Sequence, residues 1–176
     1  MILVVCTGNI CRSPMAQALL EHHLRERGLG IPVTSAGILG WNEGPAVDEA
    51  VSALAECGIT LDGHVSRRID GDLIRDAELV LTMTSDHADA VRLRAPDVPE
   101  RVFVLGEFVR LAERVGERGD APLPDWVRRV DAERPAERRR ASPRDEIPDP
   151  LGEPAEVYRV LAARLDETTR RIASLL

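Results

Sequence analysis

The sequence predicts an α/β fold, a three-layer sandwich with helices on both faces of a central four-stranded parallel sheet. Two observations indicate this class. Four short apolar runs alternate with segments of helical periodicity along the 176 residues, the pattern expected when helices connect parallel strands. In addition, a glycine-containing loop lies between the first run and its helix, where α/β proteins commonly bind anions.

The first apolar run, residues 2–5, predicts a central strand, because four consecutive branched apolar residues suit a strand that is covered on both faces. The next helix is indicated by Ser13 as a possible N-cap and by Pro14 at the first helical position. His22 and His23 fall near the polar face of this helix, so we expect them to be solvated.

The remaining elements continue the alternation. They are strands over residues 31–36, 79–83 and 102–105, and helices over about 47–57, 85–93 and 154–176. With right-handed crossovers, the loops at the carboxyl ends of the first two strands meet at one edge of the sheet. The apolar stripe of the last helix predicts that it packs along the sheet.

Residues 110–147 are rich in Arg, Glu, Asp and Pro and include the cluster Arg138, Arg139 and Arg140. We interpret this stretch as a solvated, Arg-rich insertion with one short helix near residues 125–133. A lid or a partner-docking arm is the alternative, because the stretch leads directly into Asp149, a candidate functional residue.

Composition limits the class of protein. The length predicts a single domain over residues 1–176, and the formal net charge of -7 argues against nucleic acid or an anionic membrane as a general partner. No leader-like stretch or apolar run of about 20 residues is present. The three cysteines are an odd number, which argues against a framework of paired structural disulfides. We therefore expect a cytoplasmic protein with reduced thiols.

The loop over residues 6–13, Cys-Thr-Gly-Asn-Ile-Cys-Arg-Ser, has the residue types needed for nucleophilic chemistry on a tetrahedral anion. Cys6 is the candidate nucleophile, and the helix N-terminus and Arg12 favour its thiolate form. The planar guanidinium of Arg12 matches two oxygens of the anion, and Ser13 can donate its hydroxyl to the sulfur. The candidate phosphate-binding residues are Thr7, Gly8, Asn9, Ile10, Cys11, Arg12 and Ser13.

Two late aspartates are candidates for a general acid. Asp149 lies between Pro148 and Pro150, which restrict its backbone and stiffen its loop, whereas Asp145 lies in an Arg/Glu-rich run. A positioned acid speeds the departure of an alkoxide or phenoxide. No histidine/carboxylate cluster has metal-ligand spacing, so we expect neither a metal nor another cofactor.

Residues 5–16, Val-Cys-Thr-Gly-Asn-Ile-Cys-Arg-Ser-Pro-Met-Ala, resemble the signature of the low-molecular-weight protein tyrosine phosphatases. Further similar segments occur in the same order, at residues 34–37, 58–59, 64–67, 79–83 and 149–150. The resemblance covers most of the chain outside residues 110–147. It implies that Asp149 is the acid, that Asn9, Ser13, Ser35 and His64 support the loop, and that Cys11 can form a reversible disulfide with Cys6.

The resemblance implies a phosphatase that removes phosphate from phosphotyrosine in proteins through a phosphocysteine, with phosphoproteins as substrates and inorganic phosphate as product. Ile10, Trp41 and Leu151 are the expected substrate pocket, although tyrosine phosphatases often have an aromatic residue where Leu151 stands. Three alternatives remain. They are a protein arginine phosphatase, whose branch has threonine at the position of Ile10; an arsenate reductase, disfavoured because no cysteine follows Cys57; and a non-catalytic phosphate-binding regulator.

Overall fold

A computed structural model describes residues 1–40, 43–135 and 141–176. Its sheet has four parallel strands in the order β2-β1-β3-β4. They are β1 (Ile2–Cys6), β2 (Val33–Gly37), β3 (Leu79–Thr82) and β4 (Val102–Val104). The predicted fold class is confirmed, and each strand lies within a residue or two of its predicted position.

Helices cover both faces of this sheet. They are α1 (Arg12–Glu26), α2 (Asp48–Ala55), α3 (Gly71–Asp76), α4 (Ser85–Arg94), α5 (Leu105–Val115), α6 (Leu123–Ala132) and α7 (Ala155–Leu175). Side chains alternate along β1, so Ile2 and Val4 pack with α1, α2, α5, α6 and α7, whereas Leu3 and Val5 pack with α3 and α4. The result is three layers around two apolar cores.

Helices α3 and α5 were not predicted. Helix α5 follows β4 without an intervening loop, and Val104 serves as both the last strand residue and the residue preceding the helix. Its apolar face, which includes Phe108 and Leu111, is fully buried. The sequence pattern missed α5 because strand and helix share one continuous apolar run, which hides the boundary between them.

The expectation of a solvated insertion is wrong for helix α6, although the helix itself was predicted. Trp126, Val127 and Val130 are fully buried. The Trp126 ring packs edge-to-face on Phe108, with centroids 5.7 Å apart, and its indole N–H donates to the carbonyl of Gly116 at 3.0 Å. With Leu123, Trp126 and the two valines make four buried apolar side chains at helical spacing, which attach this charged stretch to the core. The arginine cluster at residues 138–140 lies outside the described residues.

Replacing Trp126 with Ala is expected to destabilise the protein by roughly 3–5 kcal/mol, because it leaves a cavity and an unpaired carbonyl in a packed core. Urea unfolding followed by circular dichroism measures the change. The control is Leu93→Ala on α4, whose side chain is 83% exposed and whose loss should change stability by less than about 0.5 kcal/mol. Equal effects of the two substitutions would show that α6 is not part of the core.

The expectation that His23 is solvated is also wrong. Only 5% of the residue is exposed, and its Nε2 lies 2.8 Å from Asp166 Oδ1 on α7. No helix in the described parts of the chain is long and apolar enough to span a bilayer.

Candidate active site

The loop between β1 and α1 lies against the carboxyl end of β2. Cys6 is opposite Gly37 in the strand register, and a Cβ on Gly37 would lie 2.7 Å from the Thr7 carbonyl oxygen and 2.8 Å from the Gly8 carbonyl carbon. These distances are too short for any side chain, so glycine is required there. Helix α1 begins at Arg12, and its N-terminus therefore faces the loop.

The Cys6 sulfur is contacted by two hydrogen-bonding groups of its own loop. The backbone N–H of Asn9 donates to Sγ at 3.3 Å, and Ser13 Oγ lies 3.0 Å from it. Ser13 is buried and does not cap the helix, contrary to the prediction from its position; Cys11 precedes the first helical residue. Ser13 thus contacts the sulfur, as its proposed hydrogen-bonding role requires.

Asn9 holds the loop in shape from within. Its φ of 59° is in the left-handed region, which asparagine tolerates better than most residues. Its Nδ2 donates to Ser13 Oγ at 2.9 Å and to Ser35 Oγ at 2.8 Å, while its Oδ1 accepts from the Arg67 N–H at 3.0 Å. Since Ser13 Oγ already accepts from Asn9, its own hydrogen can be donated to the Cys6 sulfur at 3.0 Å or to the more distant Ala36 carbonyl at 3.5 Å.

His64 completes this support. Its Nε2 lies 2.7 Å from the carbonyl oxygen of Asn9, and a carbonyl can only accept, so Nε2 carries the hydrogen. The ring is half-buried at the outer side of the loop and does not line the cavity above the Cys6 sulfur. The structure therefore brings together the four residues expected to support the loop.

Arg12 is 3% exposed and connects the loop to the second candidate segment. Its Nη1 donates to the carbonyl of Ile147 at 3.2 Å, and its Nη2 donates to Thr7 Oγ1 at 3.1 Å and to the Asp149 carboxylate. The side chain of Asp149 is 46% exposed. Asp145 points elsewhere and pairs with Arg110 at 3.0 Å. Of the two aspartates, only Asp149 lies at the loop.

The segment before Asp149 is attached to the fold at several points. The N–H of Ile147 donates to the Met83 carbonyl at 2.8 Å, and a Glu146 carboxylate oxygen accepts from the N–H of Ser85 at 3.0 Å. A Cβ on Gly106 would lie 2.6 Å from the Asp145 carbonyl oxygen, so this segment packs directly on the start of α5. These attachments fix the position of Asp149 beside the loop that contains Cys6 and Arg12.

Above the sulfur is a cavity of about 110 Å³. Its floor is the loop itself, Asp149 lies at one side, and its apolar walls are Ile10, Leu39 and Leu151. Leu39 was not predicted, although it follows Gly37 closely at the carboxyl end of β2, where substrate-contacting residues are common. Trp41, the other predicted wall, lies outside the described residues.

Cys11 differs from Cys6 in its environment. It is 4% exposed, and its pKa is raised to about 12, first by burial and then by the negative charge of Cys6. Cys11 is therefore a neutral thiol at physiological pH, and neutral thiols are poor nucleophiles.

His87 is a further residue at the site that the sequence did not reveal. It lies on α4, and its Nε2 and Nδ1 are each 2.9 Å from a hydroxyl, those of Thr7 and Thr84. Thr7 in turn accepts from Arg12. Burial, and then the nearby Arg12 charge, lower the pKa of His87 to about 4. The ring is therefore neutral and orients the Thr7 hydroxyl that contacts Arg12.

The low pKa of His87 predicts acid sensitivity. Between pH 6.5 and pH 4 the unfolded chain binds a proton at this residue while the folded chain does not, so stability falls as the pH falls through that window. The full effect is at most roughly 3–4 kcal/mol, because the pKa falls from 6.5 to about 4 and each unit of pKa corresponds to about 1.36 kcal/mol. Urea unfolding at pH 7 and pH 4.5 should show a smaller loss in His87→Gln, which cannot titrate but keeps a donor and an acceptor. Equal losses in both proteins would contradict this assignment.

The protein has the features of a cysteine-dependent phosphatase. These are a parallel α/β sheet, a Cys-x5-Arg loop at the start of the first helix, and a carboxylate that faces this loop. The family model for "Low molecular weight phosphotyrosine protein phosphatase" matches residues 1–125. The chain therefore belongs to the low-molecular-weight protein tyrosine phosphatase family, which is a family of hydrolases.

The proteins similar to this chain include both tyrosine phosphatases and arginine phosphatases. The "Low molecular weight protein-tyrosine-phosphatase Etp" of Escherichia coli is 39% identical over 112 residues, 64% of this chain and 73% of its own length. The "Protein-arginine-phosphatase" of Bacillus subtilis is 33% identical over 175 residues, 99% of this chain and 95% of its own.

The solved structures divide in the same way. The low-molecular-weight tyrosine phosphatase of T. tengcongensis has a TM-score of 0.76 at 27% identity, covering 99% of this chain and 98% of its own. The arginine phosphatase YwlE of Geobacillus stearothermophilus has a TM-score of 0.72 at 34% identity, covering 98% of this chain and 90% of its own.

Proposed function

We propose that this protein hydrolyses phosphotyrosine in proteins in two steps through a phosphocysteine intermediate. The observation that carries the proposal is that one cavity is lined by Cys6 at its floor, by Arg12 and by Asp149. These residues provide a nucleophile, an anion-binding fork and a proton donor within reach of a single phosphoryl group.

In the first step the Cys6 thiolate attacks phosphorus and the bond from phosphorus to the leaving oxygen breaks. Arg12 holds two non-bridging phosphoryl oxygens and stabilises the charge that grows on them. Protonated Asp149 gives its proton to the leaving oxygen, so that the substrate leaves as a phenol. Asp149 contacts Arg12 in the structure, and substrate binding must therefore transfer this guanidinium contact from the carboxylate to the phosphoryl group.

In the second step a water molecule attacks phosphorus and the phosphorus–sulfur bond breaks. Asp149, now a carboxylate, accepts a proton from this water, and inorganic phosphate is released. The leaving sulfur is stabilised by the Asn9 N–H at 3.3 Å and by Ser13 Oγ at 3.0 Å. The enzyme returns to its thiolate form, and neither step requires a metal ion or another cofactor.

The cavity walls favour an aryl phosphate. Ile10, Leu39 and Leu151 present apolar surface around the opening, and Asp149 is the one carboxylate among the described residues of the lining. A phenol ring can bury its faces against such side chains, whereas a guanidinium needs further carboxylate or carbonyl acceptors.

The nucleophile must also stay reduced, and we therefore propose a cytoplasmic location.

Phosphoarginine is the second candidate substrate. It is favoured by the relatives that match along nearly the whole chain, since those of Bacillus subtilis and Geobacillus stearothermophilus are both named protein-arginine-phosphatase. Asp149 could protonate the leaving guanidine nitrogen in the same way. An arsenate reductase is disfavoured, because such a reaction needs further thiols to carry electrons and no cysteine follows Cys57.

A side-by-side assay tests the proposal. Purified protein in EDTA is given a phosphotyrosine peptide, a phosphoarginine peptide of matched sequence, and arsenate with thioredoxin. We expect the highest kcat/KM on phosphotyrosine, with inhibition by vanadate. The variant Ile10→Thr should lose phosphotyrosine activity relative to phosphoarginine. A wild-type preference for phosphoarginine would overturn the substrate assignment, and turnover of arsenate alone would overturn the reaction class.

A further inference from the structure

The C-terminal end of α1 carries two adjacent histidines and a glutamate that face one another. His22 Nε2 lies 3.5 Å from Glu26 Oε1, and His23 Nδ1 lies 3.5 Å from Glu26 Oε2. One ligand atom from each of the three residues lies within 4.8 Å of the other two. With zinc bond lengths of about 2.0–2.2 Å, tetrahedral ligand atoms are about 3.4 Å apart, so this cluster needs only a small side-chain rotation to match.

The burial of His23 provides a second, independent observation. Only its Nδ1 faces the cluster, because its Nε2 is 2.8 Å from Asp166 Oδ1 on α7. A carboxylate accepts, so Nε2 carries a hydrogen and Nδ1 is left with a lone pair when the ring is neutral. This arrangement, in which a carboxylate fixes the orientation of an imidazole through its other nitrogen, is the usual support of metal-binding histidines.

Contrary to the expectation from the sequence that no histidine/carboxylate cluster has metal-ligand spacing, we propose that His22, His23 and Glu26 form a binding site for a divalent transition-metal ion of the zinc class, separate from the phosphatase site. Two imidazoles and one carboxylate suit zinc-like ions and not the harder Mg²⁺ and Ca²⁺, which prefer all-oxygen sets. A water molecule supplies the fourth ligand. The ion is bound by the lone pair of His23 Nδ1, while Nε2 keeps its hydrogen bond to Asp166.

The site lies far from the reaction. The 15 residues of α1 span about 20 Å, with Arg12 at one end and Glu26 at the other. The ion binds three residues of the last turn of α1, and Asp166 links that turn to α7. Its expected effect is therefore on stability, since an ion that binds only the folded chain raises the unfolding temperature.

Isothermal titration calorimetry with Zn²⁺ tests the proposal. The protein used is the double variant Cys6→Ser/Cys57→Ser, which lacks the loop nucleophile and the exposed thiol as competing ligands. We expect one equivalent to bind and the unfolding temperature to rise. His22→Ala and Glu26→Gln should each weaken binding at least tenfold and abolish the rise. Glu21→Gln, which removes the same charge elsewhere on α1, should change neither.

Cobalt spectra identify the ligands. Co²⁺ bound at this site should give visible bands of a four- or five-coordinate ion without a thiolate charge-transfer band, and His22→Ala should remove them. Absence of binding would overturn the proposal, and so would binding that is equally strong in His22→Ala and Glu26→Gln.

Discussion

Cys6→Ser is expected to reduce aryl phosphate hydrolysis to background, a loss of at least ~10⁴-fold, because a hydroxyl, unlike a thiolate, is not ionised at neutral pH and is both a weaker nucleophile and a poorer leaving group. The loop should otherwise keep its shape, since Asn9 and Arg12 make their other contacts independently of the sulfur. Steady-state kinetics and phosphate titration measure the two properties separately.

The expected pattern is lost turnover with retained phosphate binding. Cys57→Ser is the matched control, because it removes a thiol that is exposed on the surface and should leave the rate unchanged. Substantial turnover by Cys6→Ser would show that hydrolysis does not require the Cys6 thiolate, and would contradict its assignment as the nucleophile.

Asp149→Asn is expected to slow hydrolysis of phenyl phosphate by about 10²–10⁴-fold, because asparagine cannot protonate the leaving oxygen. The loss should be smaller with p-nitrophenyl phosphate, whose leaving group is less basic and departs more easily without a proton. Comparing kcat/KM for the two substrates isolates proton donation from general damage to the site.

Glu153→Gln provides the control for Asp149→Asn, since it neutralises an exposed carboxylate on the same loop and should have little effect on either substrate. An equal loss on both substrates in Asp149→Asn would argue for a binding role through Arg12. An unchanged rate would direct attention to Asp145.

The sequence predicted the part of the molecule whose signals are local. The apolar runs of β1 and β3 and the loop between Cys6 and Ser13 could be recognised because each is a continuous stretch with one period or one motif. The four supporting residues of the loop came from family resemblance, and the structure places them within hydrogen-bonding distance of one another or of the loop backbone.

The parts that were missed depend on contacts between distant segments. Nothing in the sequence links His87 to Thr7, which are 80 residues apart, or His23 to Asp166, which are 143 apart. Helix α6 was judged by its charge, although Trp126 and its neighbours are enough to bury one face. Composition describes the average of a segment, whereas burial depends on the few side chains that face the core.

The most direct measurement is to find the phosphoryl group on the enzyme. Asp149→Asn protein is mixed with p-nitrophenyl phosphate, whose leaving group departs more easily without a proton, so that the variant mainly slows the second step. The mixture is quenched during turnover in conditions that preserve a phosphorus–sulfur bond, digested and examined by mass spectrometry. We expect a phosphoryl group on the peptide that contains Cys6, and specifically on that sulfur. Turnover without any phosphoryl group on Cys6, or with the group on another residue, would contradict it.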